Sequence, residues 1–245
     1  MVAGHWVSSR DMTPTARMRL FCLPHAGSGA AAFYRWKRLM PAGIDLCPVF
    51  LPGREMRLSE QPYEDASALI ADLEFALQPY LDRPYAFFGH SMGALLAFEL
   101  AQAFRPEHLF VSGRIATHLP WPHRHIHALP DEELVSELGR RYGGNPQALL
   151  DDPALGEIFL PILRADLAVV ESYRFRHDRT LVCPVTAYTG EADLSVSETG
   201  LSAWRQRTNG AFRSQRFAGD HFYHLGPGGE AMVGDMTKSL EASGL

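Results

Sequence analysis

Short apolar runs rich in strand-forming residues alternate along this chain with segments of helical periodicity, and that alternation constrains the fold more than any other feature. Runs at 18–23, 44–51 and 85–88 are separated by helix-like stretches at 31–40 and 65–81. In the second stretch Leu69, Leu73, Ala76 and Leu77 share one face behind a candidate N-cap, Asp65. Strand, helix, strand, helix, strand implies a parallel sheet, because parallel neighbours need long crossovers and helices supply them. The pattern continues with a helix at 92–104, strands at 109–115, 181–188 and 212–217, and a closing helix at 230–242. The expected fold is therefore α/β, a mostly parallel doubly wound sheet with helices on both faces.

Two segments fall outside this pattern. Residues 1–17 lack periodicity and read as a loose leader, leaving 18–245 as a single domain. Residues 120–175 interrupt the alternation, opening with Pro120, Pro122 and Pro130 and carrying helical segments at 131–141 and 153–173 around the breaker run Gly143-Gly144-Asn145-Pro146. This is a helical insertion. Its apolar face (Leu155, Phe159, Ile162, Leu163, Leu167, Val170) can pack on the sheet's helices or cover a pocket. The lid reading is preferred, since insertions at the carboxyl end of a parallel sheet lie where ligands bind.

Composition narrows the function classes. With 245 residues, 46% apolar, 21% charged and a formal charge of −5, the chain is neither disordered nor a coiled coil. It has no Lys/Arg cluster, which argues against nucleic acid as a partner. Cys22, Cys47 and Cys183 are odd in number and sit in apolar runs, so they read as buried thiols in a reducing compartment. No run is long enough to span a membrane and the N-terminus has no apolar signal region, so a cytoplasmic location is expected.

The chemistry is concentrated after the third strand. Gly89-His90-Ser91-Met92-Gly93 matches G-x-S-x-G between a strand and a helix, the context in which a sharp turn presents a nucleophilic serine. A serine hydroxyl needs a base oriented by an acid, and in this topology the chain order is serine, acid, histidine. Asp193, in the loop after the 181–188 strand, is the leading acid and Glu191 its rival; His221, after the last strand, is the leading base and His224 second. An oxyanion site needs two backbone N–H groups, one from the residue after the nucleophile, Met92, and one from the loop after the first strand. In that loop, Pro24-His25-Ala26-Gly27-Ser28-Gly29, Ala26 is the choice and Gly27 the alternative. The loop lacks G-x-G-x-x-G and the Walker lysine, so no nucleotide is implied. His123, His125 and His127 alternate in a Pro-flanked stretch that reads as solvated loop, zinc binding being the sharper alternative. His5, His108 and His177 read as surface histidines.

These residues, with Leu23-Pro24-His25-Ala26-Gly27, Leu51-Pro52-Gly53-Arg54-Glu55, Arg57-Leu58, Gly219-Asp220-His221-Phe222, Leu129-Pro130-Asp131 and Leu163-Arg164-Ala165-Asp166, make the chain resemble the type II thioesterases that accompany polyketide synthases and nonribosomal peptide synthetases. Ser28 and Asp220 stand where that family usually has glycine. The resemblance implies an α/β-hydrolase fold with a flexible helical lid. It implies a stand-alone editing enzyme that hydrolyses acyl groups from the phosphopantetheine arm of acyl or peptidyl carrier protein domains. Ser91, Asp193 and His221, spaced by 102 and 28 residues, match the family's triad. No metal or redox cofactor is expected, the substrate itself carrying the phosphopantetheine, and a monomer is the default. A general carboxylesterase or lipase, an acyltransferase and a silent hydrolase-fold binding module are the alternatives.

Overall fold

The computed structural model describes residues 6–8 and 12–242. Six parallel strands, β1 (Met18–Leu23), β2 (Ile44–Pro48), β3 (Tyr85–His90), β4 (His108–Ser112), β5 (Val185–Gly190) and β6 (Phe212–Phe217), form one sheet in the order β2-β1-β3-β4-β5-β6. The helices are α1 (Ala66–Leu77), α2 (Met92–Ala103), α3 (Asp131–Tyr142), α4 (Ala148–Asp151), α5 (Pro153–Ser172), α6 (Glu198–Ser202) and α7 (Pro227–Ala242).

Alternate residues of the central strands feed two cores. Phe21, Leu23 and Phe87 face α1 and α2, meeting Leu69, Leu73 and Leu95. Leu20, Cys22, Ala86 and Phe88 face the other way, onto Phe33, Trp36 and the α7 residues Met232, Val233 and Met236. A sheet covered on both faces needs apolar side chains at successive positions, which is why these strands read as unbroken apolar runs. Asp65 caps α1, its carboxylate accepting the Ala68 N–H at 2.9 Å.

The chain goes from β1 outward to β2, then returns across β1 to β3. The order thus reverses between β1 and β3, and the crevice beyond their carboxyl ends is the topological switch point of the sheet. The loop 24–29 leaves β1 there, and Ser91 leaves β3 there.

Several elements differ from expectation. The expected helix 31–40 is a 3-10 helix, Ala30–Arg38. The expected strand 181–188 begins as a single bridge from Leu181 to Thr208, and its ladder runs only from Val185, because Pro184 has no N–H to donate. The strand expected over 109–115 ends at Ser112, where Gly113 turns the chain at φ +62°. The segment expected to be a loose leader is anchored where it is described. Trp6 and Val7 join the core, the Trp6 carbonyl accepts the Phe50 N–H at 2.9 Å, and the Arg57 guanidinium lies 4.2 Å from the Trp6 ring. Asp45 accepts the Thr13 N–H at 2.8 Å. Residues 1–5 and 9–11, including the expected surface histidine His5, lie outside the described residues.

The insertion is helical, with its own apolar cluster of Ile126, Leu134, Val135, Leu138, Leu160 and Leu167. The three cysteines are buried free thiols. Among the described residues no helix is long and apolar enough to cross a membrane.

Candidate active site

Ser91 occupies the turn between β3 and α2 with φ 55° and ψ −110°, a left-handed conformation that costs on the order of 1–3 kcal/mol and must be held by its surroundings. Two close approaches hold it. A Cβ on Gly89 would sit 1.9 Å from the Gly93 carbonyl oxygen, and one on Gly93 would sit 2.0 Å from the Leu23 carbonyl oxygen. Only glycine lets β3, α2 and β1 meet this closely. The Ser91 N–H also donates to the Ser112 carbonyl at 2.8 Å, fastening the turn to β4.

Asp193 and His221 come from the loops after β5 and β6, and both are buried. His221 Nδ1 lies 2.9 Å from Asp193 Oδ2. A carboxylate only accepts, so Nδ1 carries the proton and Nε2 is left as the basic nitrogen. Asp193 Oδ1 accepts the Ser195 N–H at 2.9 Å and the Ser195 hydroxyl at 2.6 Å, while Thr189 donates to Oδ2 at 3.3 Å. Burial pushes the Asp193 carboxyl pKa upward, but the hydrogen bond and charge of His221, with both Ser195 donors, outweigh it and hold the group below its ordinary value. Ser195 Oγ also lies 3.1 Å from His221 Nδ1, so this hydroxyl fixes acid and base together. Ser195 was not evident from the sequence, although Asp-x-Ser is the pattern of a local turn in which the aspartate accepts the N–H two residues on.

The rivals are placed elsewhere. Glu191 is exposed, its N–H bound to the Phe217 carbonyl. His224 is buried and stacked on His90 with ring centroids 3.8 Å apart. Asp220 turns to the Phe222 N–H at 2.8 Å.

Ser91, His221, His25, Ala26 and Gly27 line one cavity of about 290 Å³, roofed by Tyr142, Leu149, Phe159, Leu163 and Leu167 of the insertion. The Tyr142 ring packs 4.7 Å from that of His221. Phe159, Leu163, Leu167 and Val170 of the expected apolar face meet this cavity, whereas Leu155 is exposed. The N–H groups of Ala26 and Met92 make no hydrogen bond to the described residues. Gly27, the alternative donor, is already committed, its N–H bound to Asp166 Oδ2 at 2.7 Å.

Behind Ser91 lies a group of imidazoles the sequence did not assemble. His25 sits 5.7 Å from His90 and 5.0 Å from His224, and His90 is 4.8 Å from His221. His90 Nδ1 meets the Ser112 hydroxyl at 2.8 Å, which meets the Tyr223 hydroxyl at 2.6 Å. Burial, with His224, His221 and His25 nearby, holds the His90 pKa well below its ordinary value; burial, with His25 and His221, does the same to His224. Burial, with His221 and Arg54, lowers His25 to about 3.

Other histidines correct the sequence reading. His108, expected at the surface, is buried, stacked on Phe110 at 4.1 Å and bonded to Thr186 at 2.9 Å. His177 is half-buried and pairs with Glu99 at 2.6 Å. His127 pairs with Glu171, and His125 is exposed. Among the described residues no group of three or more His, Cys, Asp or Glu side chains is arranged to hold a metal ion.

A serine in a strained strand-to-helix turn and an acid-anchored imidazole on one cavity, with the loop carrying Ala26 beside them, are parts suited to acyl transfer. Known proteins agree. The gramicidin S biosynthesis protein GrsT of Aneurinibacillus migulanus is 42% identical over 89% of this chain and 87% of its own length. The RedJ thioesterase of the prodiginine pathway in Streptomyces coelicolor superposes with a TM-score of 0.84 at 36% identity, over 91% of this chain and 85% of that one. The type II thioesterase BorB from the borrelidin cluster superposes with a TM-score of 0.84 at 36% identity, over 96% and 97%. The fold is that of the thioesterase α/β-hydrolases. With the thioesterase domain family model matching residues 18–240, this chain belongs to the thioesterase family.

Proposed function

We propose that this chain is a stand-alone editing thioesterase that hydrolyses acyl groups from the phosphopantetheine arm of acyl or peptidyl carrier domains. The observation that carries the reading is the shared cavity of Ser91 and an Asp193-anchored His221, in a chain similar to thioesterases of NRPS/PKS pathways.

In this mechanism His221 Nε2 takes the Ser91 proton as Oγ attacks the thioester carbonyl carbon. The carbonyl oxygen becomes an oxyanion facing the Ala26 and Met92 N–H groups, each donor worth about 3 kcal/mol at the transition state. The C–S bond breaks, and the imidazolium gives its proton to the departing pantetheine sulfur. Water, deprotonated by His221, then attacks the acyl-Ser91 ester, and the carboxylic acid leaves as Ser91 regains its proton. No step calls on a metal or redox cofactor. Asp193, held charged by its donors, stabilises the imidazolium in both steps.

The insertion serves as a lid whose apolar residues form the acyl channel. Its placement over Ser91 supports that role. A reducing compartment such as the cytoplasm fits the three buried free thiols.

The test is hydrolysis of a short acyl-phosphopantetheinyl carrier protein, read by intact mass, beside the matched free acyl pantetheine and a simple oxygen ester. Ser91-dependent loss of the acyl group, faster from the carrier than from free pantetheine, is expected. Slow turnover of the carrier substrate beside rapid ester cleavage would identify a general esterase instead.

A further inference from the structure

The loop that carries Ala26 is held by side chains from elsewhere in the chain. Arg54 Nη1 donates to the Ser28 carbonyl at 2.9 Å. The Glu55 carboxylate accepts the Ala30 and Ala31 N–H groups at 3.0 and 2.8 Å. Both residues belong to the main body, in the turn after β2. The remaining clamp comes from the insertion. Asp166, on α5 and 139 positions along the chain, accepts the Gly27 N–H at 2.7 Å.

Asp166 is 2% exposed and Arg54 6%. A carboxylate so enclosed needs a full set of donors. The Arg54 fork supplies them, Nη1 to Oδ2 at 2.6 Å and Nη2 to Oδ1 at 2.8 Å. One carboxylate oxygen therefore binds both the main body, through Arg54, and the peptide that follows Ala26. Pinning the Gly27 nitrogen holds the peptide plane that follows the Ala26 Cα, which restricts the rotation of Ala26 and so the directions its own N–H can take.

We propose that Asp166, braced by Arg54, is a positioning residue for the oxyanion site, so that seating α5 and aiming the Ala26 donor are a single event. This rests on the acyl-transfer reading above. A cap helix that lifted away would carry Asp166 with it and leave the Gly27 N–H without its acceptor. Acyl transfer would then proceed only beneath a seated cap, which keeps the acyl-Ser91 ester from forming in an open site.

The test is Asp166→Asn, with Arg54→Lys as a second variant that keeps the charge but loses the fork. In proton–nitrogen spectra of the folded protein, the Gly27 amide proton is expected to move upfield as its charge-assisted bond is lost. On the carrier substrate, kcat is expected to fall about 10- to 100-fold with KM within about 3-fold, the signature of a misaimed transition-state donor. Affinity for an acyl trifluoromethyl ketone, which forms a tetrahedral adduct with Ser91, should fall with kcat. Binding of the unreactive amide analogue of the thioester should change by less than about 3-fold. If Asp166→Asn does not fold, Arg54→Lys carries the same readouts with smaller losses. An unmoved Gly27 resonance, a kcat within about 2-fold of wild type, or equal weakening of ketone and amide would overturn the proposal. Hydrolysis by Ser91→Ala at the wild-type rate would instead overturn the acyl-transfer reading, and the Gly27 resonance would still decide whether Asp166 holds the loop.

Discussion

Mild acid should destabilise this protein, because buried histidines, among them His90, His108 and His224, are neutral in the fold. His90, His108 and His224 are 0%, 6% and 1% exposed. Burial, aided by neighbouring imidazoles, holds His90 and His224 well below the ordinary value of 6.5; burial, aided by Arg213, lowers His108 to about 4. In the unfolded chain each titrates near 6.5, so between that value and the folded one the unfolded state binds the extra protons. Stability is therefore full above about pH 6.5 and is lost as pH falls toward the folded values. Between about pH 7.5 and 5.5 each of these histidines contributes a loss on the order of 1 kcal/mol, and the three together roughly 3–4 kcal/mol. That is a large share of the roughly 5–15 kcal/mol a domain has. Urea unfolding at the two pH values measures it. At a slope of about 2 kcal/mol per molar, the midpoint should fall by about 2 M with the slope unchanged. His108→Gln, at the opposite end of the sheet from Ser91, should remove on the order of 1 kcal/mol of the pH dependence. Equal midpoints at the two pH values would refute the reasoning, since they would mean that the folded imidazoles take up protons as readily as the unfolded ones.

Further outcomes follow from single contacts. Gly93→Ala places a Cβ 2.0 Å from the Leu23 carbonyl oxygen, and the retreat of about 1.4 Å to ordinary contact outweighs the ~1 kcal/mol helix preference for alanine. Its melting temperature should drop by about 5–12 °C, and a change under about 2 °C would contradict the contact. Asp193→Asn should lower kcat about 10³- to 10⁴-fold through loss of the imidazole's orienting acceptor. Ser195→Ala removes the 2.6 Å bond to Asp193 and should raise that carboxyl's pKa, measured by carbon-detected titration. Because Asp193 adds stability above its unfolded value that is lost as pH falls through the folded one, a smaller depression reduces that contribution. Trp6→Ala should cost about 3 kcal/mol in urea unfolding, whereas a freely moving leader would show no change.

Much of this was legible in the sequence. The βα alternation placed six strands, and β1 and β6 agree with it residue for residue. Ser91 was legible because its signal is local: a strand, a sharp turn between glycines, a helix. Asp65 as a cap was legible for the same reason. Boundaries failed where something other than periodicity decides, as at Pro184, which delays β5, and in the 3-10 helix Ala30–Arg38, whose buried residues Ala30, Phe33 and Trp36 recur every three positions, too short a run to tell that period from 3.6. Trp6 and Val7 depart from the expected loose leader because burial of Trp6 depends on contacts with Phe50 and Arg57, far along the chain, which no pattern near Trp6 records.

The sequence by itself therefore determined the layer architecture and the sharp strand-to-helix turn that carries Ser91, since backbone propensity, turn chemistry and apolar period act over a few residues. The tertiary structure added what sets Asp193 apart from Glu191 and His221 from His224, burying one carboxylate against one imidazole across 28 positions. It alone stacked His224 on His90 and brought Asp166 to Gly27 across 139 positions. Those choices depend on which distant side chains share a desolvated space, where an unpaired charge or donor is costly, and packing of the whole chain decides that.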